Sequence, residues 1–254
     1  MLVATWNVNG IRSVARKDLL PWDLLADADV ICLQETKAHP GQLPPELREP
    51  AGYHTHWVSA VKKGYSGAAI LSRDKPDEVV EGLGKKRFDD EGRVLAARFG
   101  EVVVISAYFP NSQEAGARLS YKLGFCRAME AYLRDWTDRG YHTLLTGDYN
   151  IAHEPIDLAR PKQNEKNPGY LPEERAWMSR YLRLGYHDVF RERNPELEGA
   201  YSWWSFRSNA RERNVGWRID YATVSSGLLD AVTDARIHPE IQGSDHCPVS
   251  VTLG

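Results

Sequence analysis

Polar and acidic side chains stand at the ends of several short apolar runs in this sequence. A charged residue at the end of a buried strand does not contribute to the packing of that strand. Side chains at strand ends can instead form a rigid site that is open to solvent. A single acid in such a place is more often a turn or helix cap than a ligand. Eight polar residues at such places in one chain, however, predict a chemical site. They are Asn7, Glu35, Tyr108, Asp148, Asn150, Asp220 and the Asp245–His246 pair.

Glu35 follows the apolar run 30–34, so its carboxylate emerges where that predicted strand ends. Mg²⁺ prefers oxygen ligands and keeps several waters, so one or two carboxylates with an amide oxygen, such as that of Asn7, are sufficient to hold it. No His-His-carboxylate or cysteine-rich spacing favours zinc. We therefore predict a Mg²⁺ site at Glu35, with Mn²⁺ as a substitute ion; the alternative is a surface residue before Lys37.

Asp148 and Asn150 follow an apolar run and are two residues apart. In an extended segment, residues i and i+2 point the same way, so both side chains can address one group of atoms. An acid paired with an amide suits phosphoryl chemistry, because the acid can orient or deprotonate a water while the amide donates to a phosphate oxygen. The pattern alone has low specificity.

An Asp–His relation is indicated by Asp220 and His246. A carboxylate on one imidazole nitrogen fixes the tautomer and raises its basicity, so His246 can serve as an acid or base, or bind a phosphate when protonated. A Ser-His-Asp hydrolase is the competing interpretation. The sequence contains no GxSxG elbow, and Ser244 adjoins Asp245 rather than standing at a strand-to-helix turn, so we set that interpretation aside.

The elements that must position these residues are short buried strands and a few helices. Helical periodicity over 118–139 predicts an amphipathic helix packed on a sheet, and shorter helices are expected at 17–26 and at 172–183, the last opening with Pro and paired glutamates. No repeat or linker marks a boundary, so one domain over 1–254 is predicted. The predicted strands are 2–6, 30–34, 68–72, 94–99, 102–108, 143–148, 219–224 and 248–253.

Composition restricts the class of protein. The three cysteines are far apart, so neither a disulfide framework nor a zinc site is indicated. No secretion signal or membrane-spanning run is found, and we expect a soluble protein of the bacterial or archaeal cytosol, associated with the nucleoid and not with membranes. The net charge of −3 argues weakly against a protein that holds nucleic acid by charge alone.

Local charge differs from the total. Basic clusters in Gly- or Asn-containing loops beside aromatic residues could hold phosphates, although a solvated surface is the alternative for any one of them. We predict that Arg118 and Arg211 bind substrate. The clusters are Lys62 and Lys63; Lys85, Lys86 and Arg87; and Arg207, Arg211, Arg213 and Arg218.

Seven strings together resemble the exonuclease III family of abasic-site endonucleases, within the endonuclease/exonuclease/phosphatase superfamily. They occur in that family's order and spacing along the whole chain. The resemblance implies an α/β fold, a four-layered α/β sandwich of two mixed β-sheets flanked by helices. The strings are WNVNGIR (6–12), QETK (34–37), YFPN (108–111), GDYNIAH (147–153), IDL (156–158), NVGWRIDY (214–221) and SDH (244–246).

The resemblance implies a role for each matched position. Asn7 and Glu35, with Asp245, are similar to the Mg²⁺ ligands. Asp148 is similar to the residue that aligns or deprotonates the attacking water, and Asp220 to the partner of His246; whether Asp148 or His246 is the base stays open. The groups similar to those that hold the scissile phosphate are Asn150, Tyr108 and His246, with Asn111 helping to set the site and contact DNA.

The same resemblance implies the substrate and its pocket. Double-stranded DNA with abasic sites, nicks or 3′-blocked ends is the expected partner of a monomeric enzyme, and Trp203, Trp217 and Ile219 match the walls that accept a flipped-out deoxyribose. Glu114 stands where some relatives carry an arginine that enters the duplex. Two alternatives stay open: a phosphatase of the superfamily that acts on small phosphate esters, and a non-catalytic DNA-binding module.

Overall fold

The computed structural model describes residues 1–254 as two six-stranded sheets, a two-stranded ribbon and eight α-helices. The strands are β1 (Leu2–Asn7), β2 (Val30–Gln34), β3 (His54–Val58), β4 (Ala68–Ser72), β5 (Glu78–Glu81), β6 (Val94–Phe99), β7 (Val102–Tyr108), β8 (His142–Asp148), β9 (Tyr186–Asp188), β10 (Trp203–Trp204), β11 (Gly216–Trp217), β12 (Asp220–Ser225), β13 (Val232–Ile237) and β14 (Val249–Leu253). The helices are α1 (Ile11–Ala15), α2 (Pro21–Leu24), α3 (Pro45–Arg48), α4 (Lys86–Asp89), α5 (Leu119–Asp138), α6 (Pro161–Asn164), α7 (Pro172–Arg183) and α8 (Val189–Arg193).

The two sheets have the same pattern of strand directions. The first has the order β13-β14-β1-β2-β4-β3 and the second the order β5-β6-β7-β8-β12-β9. In each, only the third and fourth strands, β1 with β2 and β7 with β8, run parallel; every other neighbouring pair is antiparallel. Both sheets are therefore mixed, as predicted.

Alternation along the strands produces four layers. Side chains of successive strand residues point to opposite faces of a sheet, so Val3 and Val104 meet in the core between the sheets. Trp6 packs with the helices outside the first sheet, and Ile105 packs under α5 and α7 outside the second. The order of layers is helices, sheet, sheet, helices, which confirms the predicted α/β sandwich.

The helices agree with the sequence in two places and differ in a third. The predicted helices over 118–139 and 172–183 are confirmed as α5 and α7. The prediction of one helix over 17–26 is confirmed only for Pro21–Leu24 and is wrong for the rest of that range. Asp18 has a left-handed φ of 57°, and Leu20 is extended before Pro21, so one short helix ends at Ala15 and another begins at Pro21. None of the helices is both long and apolar enough to cross a bilayer.

Candidate active site

The parallel strand pair in each sheet delivers two polar side chains to the same edge of the sandwich. In the first sheet, Asn7 pairs with Gln34, so Glu35 follows immediately beside it. In the second, Tyr108 pairs with Asp148, and Asp220 at the start of β12 is the antiparallel partner of Asp148. The strand ends thus bring together residues that are far apart in sequence.

The amide of Asn7 links the two sheets. It is fully buried, and its Nδ2 donates to Glu35 Oε1 at 3.0 Å and to Asp148 Oδ2 at 2.9 Å. Its Oδ1 accepts a hydrogen bond from the backbone N–H of Asn9 at 3.0 Å. One amide therefore fixes carboxylates that belong to different sheets.

Glu35 stands just beyond β2 with a left-handed φ of 50°, which turns its side chain toward the site. Its Oε2 lies 2.8 Å from Lys37 Nζ. Burial opposes the charge of Glu35, but Lys37 and the Asn7 amide outweigh burial and lower its pKa. Glu35 is therefore an ionised carboxylate at neutral pH.

Asp148 and Asn150 address one point, although not for the predicted reason. The strand β8 ends at Asp148 and Asn150 has a left-handed φ of 52°, so a tight turn and not an extended segment brings the two side chains together. The Asp148 carboxylate accepts from the backbone N–H of Asn150 at 2.7 Å and from its Nδ2 at 3.1 Å. Burial raises the pKa of Asp148, and the charges of Asp220 and Glu35 raise it further.

His246 lies between two carboxylates. Its Nδ1 is 2.8 Å from Asp220 Oδ2 and its Nε2 is 3.8 Å from Asp148 Oδ2. Burial disfavours the imidazolium, but Asp220 and Asp148 outweigh it and raise the pKa of His246 to about 10. At neutral pH the ring is therefore a cation that directs its Nε2–H toward Asp148. The Asp–His relation predicted from the sequence is present in the structure.

The donor set at this edge fits a hard metal ion. Ligand atoms of Glu35, Asp148 and His246 all lie within 4.8 Å of one another, with the Asn7 amide against the two carboxylates. As a cation, His246 has no free nitrogen lone pair, so the two carboxylates are the ligands that this group offers. Oxygen donors dominate this group, which suits a hard cation such as Mg²⁺ better than zinc. Asp245, also predicted as a ligand, is outside this group.

The Asp245 carboxylate is held by neutral donors. Its Oδ1 accepts from Asn9 Nδ2 at 2.9 Å, and its Oδ2 accepts from Trp203 Nε1 at 3.1 Å. Asn9 in turn accepts from Lys37. Sequence reasoning assigned no role to Asn9 or Lys37, although both fall within strings that carried the family resemblance.

A cavity of about 270 Å³ opens at these side chains. Trp203, Trp217 and Ile219 line one side of it and pack on a small apolar cluster. Asn111 also lines the cavity, and its Nδ2 donates to Asn150 Oδ1 at 3.0 Å. The segment 167–169 also lines the cavity and was missed, because nothing in its sequence distinguishes it from a surface loop. Most of the predicted residues are thus brought together.

Two predicted substrate-binding arginines lie outside the cavity. Arg118 is 2.5 Å from Glu91 Oε1 and donates to the Tyr65 hydroxyl at 2.9 Å. Arg211 donates to the carbonyl oxygens of Ser244, Pro239 and Ile241. Both guanidinium groups tie parts of the protein together, so a DNA contact by either stays a prediction.

The position of Arg218 contradicts its assignment to a phosphate-binding loop. Its side chain is only 1% exposed and forms ion pairs with Asp157 at 2.8 Å and Asp188 at 2.7 Å. A guanidinium buried between two carboxylates cannot reach a DNA phosphate. The expectation that Arg218 belongs to a phosphate-holding loop is therefore wrong.

Comparison with known proteins decides the family. Residues 4–246 match the model of the Endonuclease/Exonuclease/phosphatase family. The chain belongs to that family. Over its whole length it is 45% identical to an exodeoxyribonuclease of Bacillus subtilis, of which it covers 99%, and 41% identical to the DNA repair nuclease APEX1 of Danio rerio, of which it covers 82%. These matches confirm the resemblance to the exonuclease III group of the family.

A solved structure extends the family match to the fold. The AP endonuclease LMAP of Leishmania major superposes with a TM-score of 0.90 at 30% identity, covering 99% of this chain and 87% of that one. The two mixed sheets with flanking helices are therefore the arrangement of this family. A metal-dependent nuclease fold agrees with the carboxylates of Glu35 and Asp148 beside His246.

Proposed function

We propose that this chain is a Mg²⁺-dependent DNA repair phosphodiesterase. It hydrolyses the backbone 5′ to abasic sites, removes 3′-blocking groups and 3′ nucleotides, or does both. The observation that carries the proposal is one cavity in which an acidic metal-binding edge, a buried imidazolium and a wall of two tryptophans meet. The homologues named as an exodeoxyribonuclease and a DNA repair nuclease support the substrate class.

The scissile phosphate is proposed to lie against His246 and Tyr108. The His246 cation attracts the phosphate and neutralises charge that develops on it. Burial, together with the charges of Glu35 and Asp148, raises the pKa of Tyr108, so its phenol stays protonated and can donate a hydrogen bond. A bound Mg²⁺, held by Glu35 with Asn7 and Asp245 nearby, would supply further charge stabilisation on the phosphate and leaving oxygens.

Asp148 is proposed to orient the attacking water and accept its proton. Its raised pKa matches a general base better than that of an exposed aspartate does. The Asn150 amide already donates both of its hydrogens, one to Asp148 and one to the Phe109 carbonyl. Donation to a phosphate oxygen therefore requires that substrate displace one of these bonds.

The aromatic wall favours DNA over a small phosphate ester. Trp203 and Trp217 meet edge to face, with ring centroids 6.2 Å apart, and Ile219 is buried beside them. Such a wall suits the apolar face of a flipped-out deoxyribose that has no base. We further propose that the enzyme acts as a monomer on double-stranded DNA with abasic sites, nicks or 3′-blocked ends, in the cytosol near the nucleoid.

The test uses two labelled duplexes, one with a single abasic-site analogue and one nicked with a 3′-phosphate, each incubated in Mg²⁺ and in EDTA. A metal-dependent cut 5′ to the abasic site supports the endonuclease. Removal of the 3′-phosphate alone restricts the proposal to 3′-end cleaning. No reaction on either duplex, with hydrolysis of a small phosphate ester, overturns it in favour of a phosphatase. Binding without any cutting would indicate a DNA-binding module.

A further inference from the structure

A fully buried ion pair lies behind the cavity. Lys122 on α5 and Glu174 on α7 both have 0% exposed side chains, and Lys122 Nζ is 2.6 Å from Glu174 Oε1. Taking two charges out of water is costly, and two apolar residues of similar size often stabilise a protein as much or more. Packing of the two helices therefore does not explain why this position holds an ion pair. The other hydrogen bonds of Lys122 and Glu174 explain it.

Each member of the pair holds a segment that borders the cavity. Lys122 Nζ donates to the backbone carbonyl of Asn150 at 2.6 Å. Glu174 Oε2 accepts from the backbone N–H groups of Gly169 at 2.7 Å and Leu171 at 3.0 Å. Glu174 Oε1 also accepts from the hydroxyl of Ser112, which follows Asn111. Three loops from different parts of the chain are thus fastened to one pair of charges.

Two of the loops that the pair binds have unusual backbone conformations and pack closely on each other. Asn150 has a left-handed φ of 52°, a conformation that is uncommon outside glycine although asparagine adopts it more readily than most residues. Gly169 has a φ of +91°, and a Cβ there would lie 3.1 Å from the Asn150 carbonyl oxygen and 3.2 Å from the Trp217 ring. The carbonyl that Lys122 binds is therefore also the surface against which the 167–169 segment packs.

We propose that Lys122 and Glu174 are positioning residues that fix Asn150 for phosphate binding, Lys122 through its carbonyl and Glu174 through the 167–169 segment that packs against that carbonyl. Neither touches the substrate; they act through the backbone of groups that line the cavity. This inference rests on the proposed function, since it assigns the pair to that reaction. A displacement of about 1 Å at a reacting group can lower a rate about 100-fold, so small shifts of Asn150 are sufficient for a large effect.

The test is a double-mutant cycle with Asn150→Ala. Lys122→Met together with Glu174→Gln removes the charges without leaving one of them unpaired, and keeps an oxygen for Gly169 and Leu171. On the abasic duplex we expect kcat to fall about 10- to 100-fold with little change in KM and in the thermal midpoint. In the Asn150→Ala background, the same double change should have almost no further effect on kcat.

The matched control lies on the same two helices. Glu130 on α5 accepts hydrogen bonds from Trp177 Nε1 at 2.5 Å and Arg180 at 2.6 Å on α7, outside the cavity. Glu130→Gln should therefore lower the thermal midpoint and leave kcat unchanged. If the double variant does not fold, Glu174→Gln alone takes its place in the cycle, measured well below its thermal midpoint; that midpoint should fall because Lys122 is left unpaired, while the same pattern of kcat in the two backgrounds is expected.

The outcomes separate this inference from the proposed function. A wild-type chain that cuts neither DNA substrate overturns the proposed function itself. A wild-type chain that cuts, together with a double variant of unchanged kcat, overturns the positioning role alone. An equal fall in kcat in both backgrounds also overturns it, because a general structural defect does not depend on Asn150.

Discussion

At the scale of single residues, the site depends on two groups that each lie between two carboxylates. Carboxylates this close repel one another and resist ionisation unless donors or cations separate them. Asn7 donates to Glu35 and Asp148, and the His246 cation lies between Asp148 and Asp220. The protein thereby keeps a high density of negative charge at a buried edge, which is what a divalent cation requires.

Asp220→Asn tests whether His246 acts as a cation. Asp220 is the largest charge that raises the His246 pKa to about 10, so its loss should lower that pKa toward the ordinary value of 6.5. Because the imidazolium is lost as pH rises through its pKa, the variant should lose kcat at a lower pH than the wild type, and kcat should fall about 100-fold near pH 8. Kinetics from pH 6 to 10 measure both effects. An unchanged alkaline limb would show that the cation is not needed.

Glu35→Gln tests the metal site. The amide keeps the shape of the side chain but loses the charge, so the Mg²⁺ concentration for half-maximal cleavage should rise at least about 10-fold. Stability should change by less than about 1 kcal/mol, since the lost ion pair with Lys37 is partly exposed. Glu114→Gln, an exposed acid on the 109–118 loop, is the control and should leave the Mg²⁺ dependence unchanged. Coincident Mg²⁺ titrations of Glu35→Gln and wild type would remove Glu35 from the metal site.

At the scale of elements, the sequence predicted the interior strands and missed the edges. The four unpredicted strands of the large sheets are β13 and β3 at the edges of one sheet and β5 and β9 at the edges of the other. An interior strand is buried on both faces and gives a continuous apolar run. An edge strand is partly exposed and mixes in polar residues, such as His54 and His56 of β3 or Asp234 of β13, so periodicity does not reveal it.

The sequence predicted the site residues that stand at the ends of strands. It did not predict the site residues that lie on loops. Glu35, Asp148 and His246 stand beside apolar runs, and the structure brings them together. The segment 167–169 is held at the cavity by Glu174 and by the backbone N–H of Ala152, which are contacts between distant parts of the sequence that no local pattern encodes. Arg211 was assigned to the substrate because it is basic, yet its charge serves three carbonyl oxygens.

Asp157→Asn tests the charged cluster that anchors the cavity wall. Asp157 accepts from Arg218 and Arg191, and Arg218 directly precedes Ile219. Burial opposes the Asp157 charge, but Arg218 outweighs it and lowers the pKa to about 2. Its stabilising effect is therefore present above the ordinary pKa near 4 and is lost as pH falls through about 2. Denaturant unfolding at pH 7 should show a loss of about 2–4 kcal/mol.

The difference between Asp157→Asn and wild type should shrink on acidification from pH 4 to pH 2. Asp234→Asn is the control, because Asp234 pairs with Arg236 at an exposed position and contributes little. A constant difference across this range would mean that the ionised carboxylate is not what stabilises the cluster.

At the scale of the whole molecule, the net charge of −3 hides an uneven distribution. Several arginines are neutralised inside the protein, as Arg218 is by Asp157 and Asp188. Other cations stay exposed on loops. Lys62 and Lys63 line a second cavity, together with Ala38 and His39 from the loop that follows Glu35. Arg207 lines a third cavity, which shares Trp203 and Trp217 with the active site. We expect DNA phosphates to contact these exposed cations.

The salt dependence of DNA binding measures how many of these exposed cations contact phosphates. Each phosphate contact contributes about 0.9 to the slope of log K against log salt, because binding releases condensed counterions. Lys62→Ala with Lys63→Ala should weaken binding to the abasic duplex in EDTA and reduce the slope by about 1 to 2. Arg134→Ala with Arg139→Ala removes the same charge near the C-terminal end of α5, about 18 Å or more along the helix from Lys122, which contacts Asn150. That control should leave the slope unchanged. If the slope instead falls equally in both variants, it follows net charge alone, and no phosphate is placed at Lys62 and Lys63.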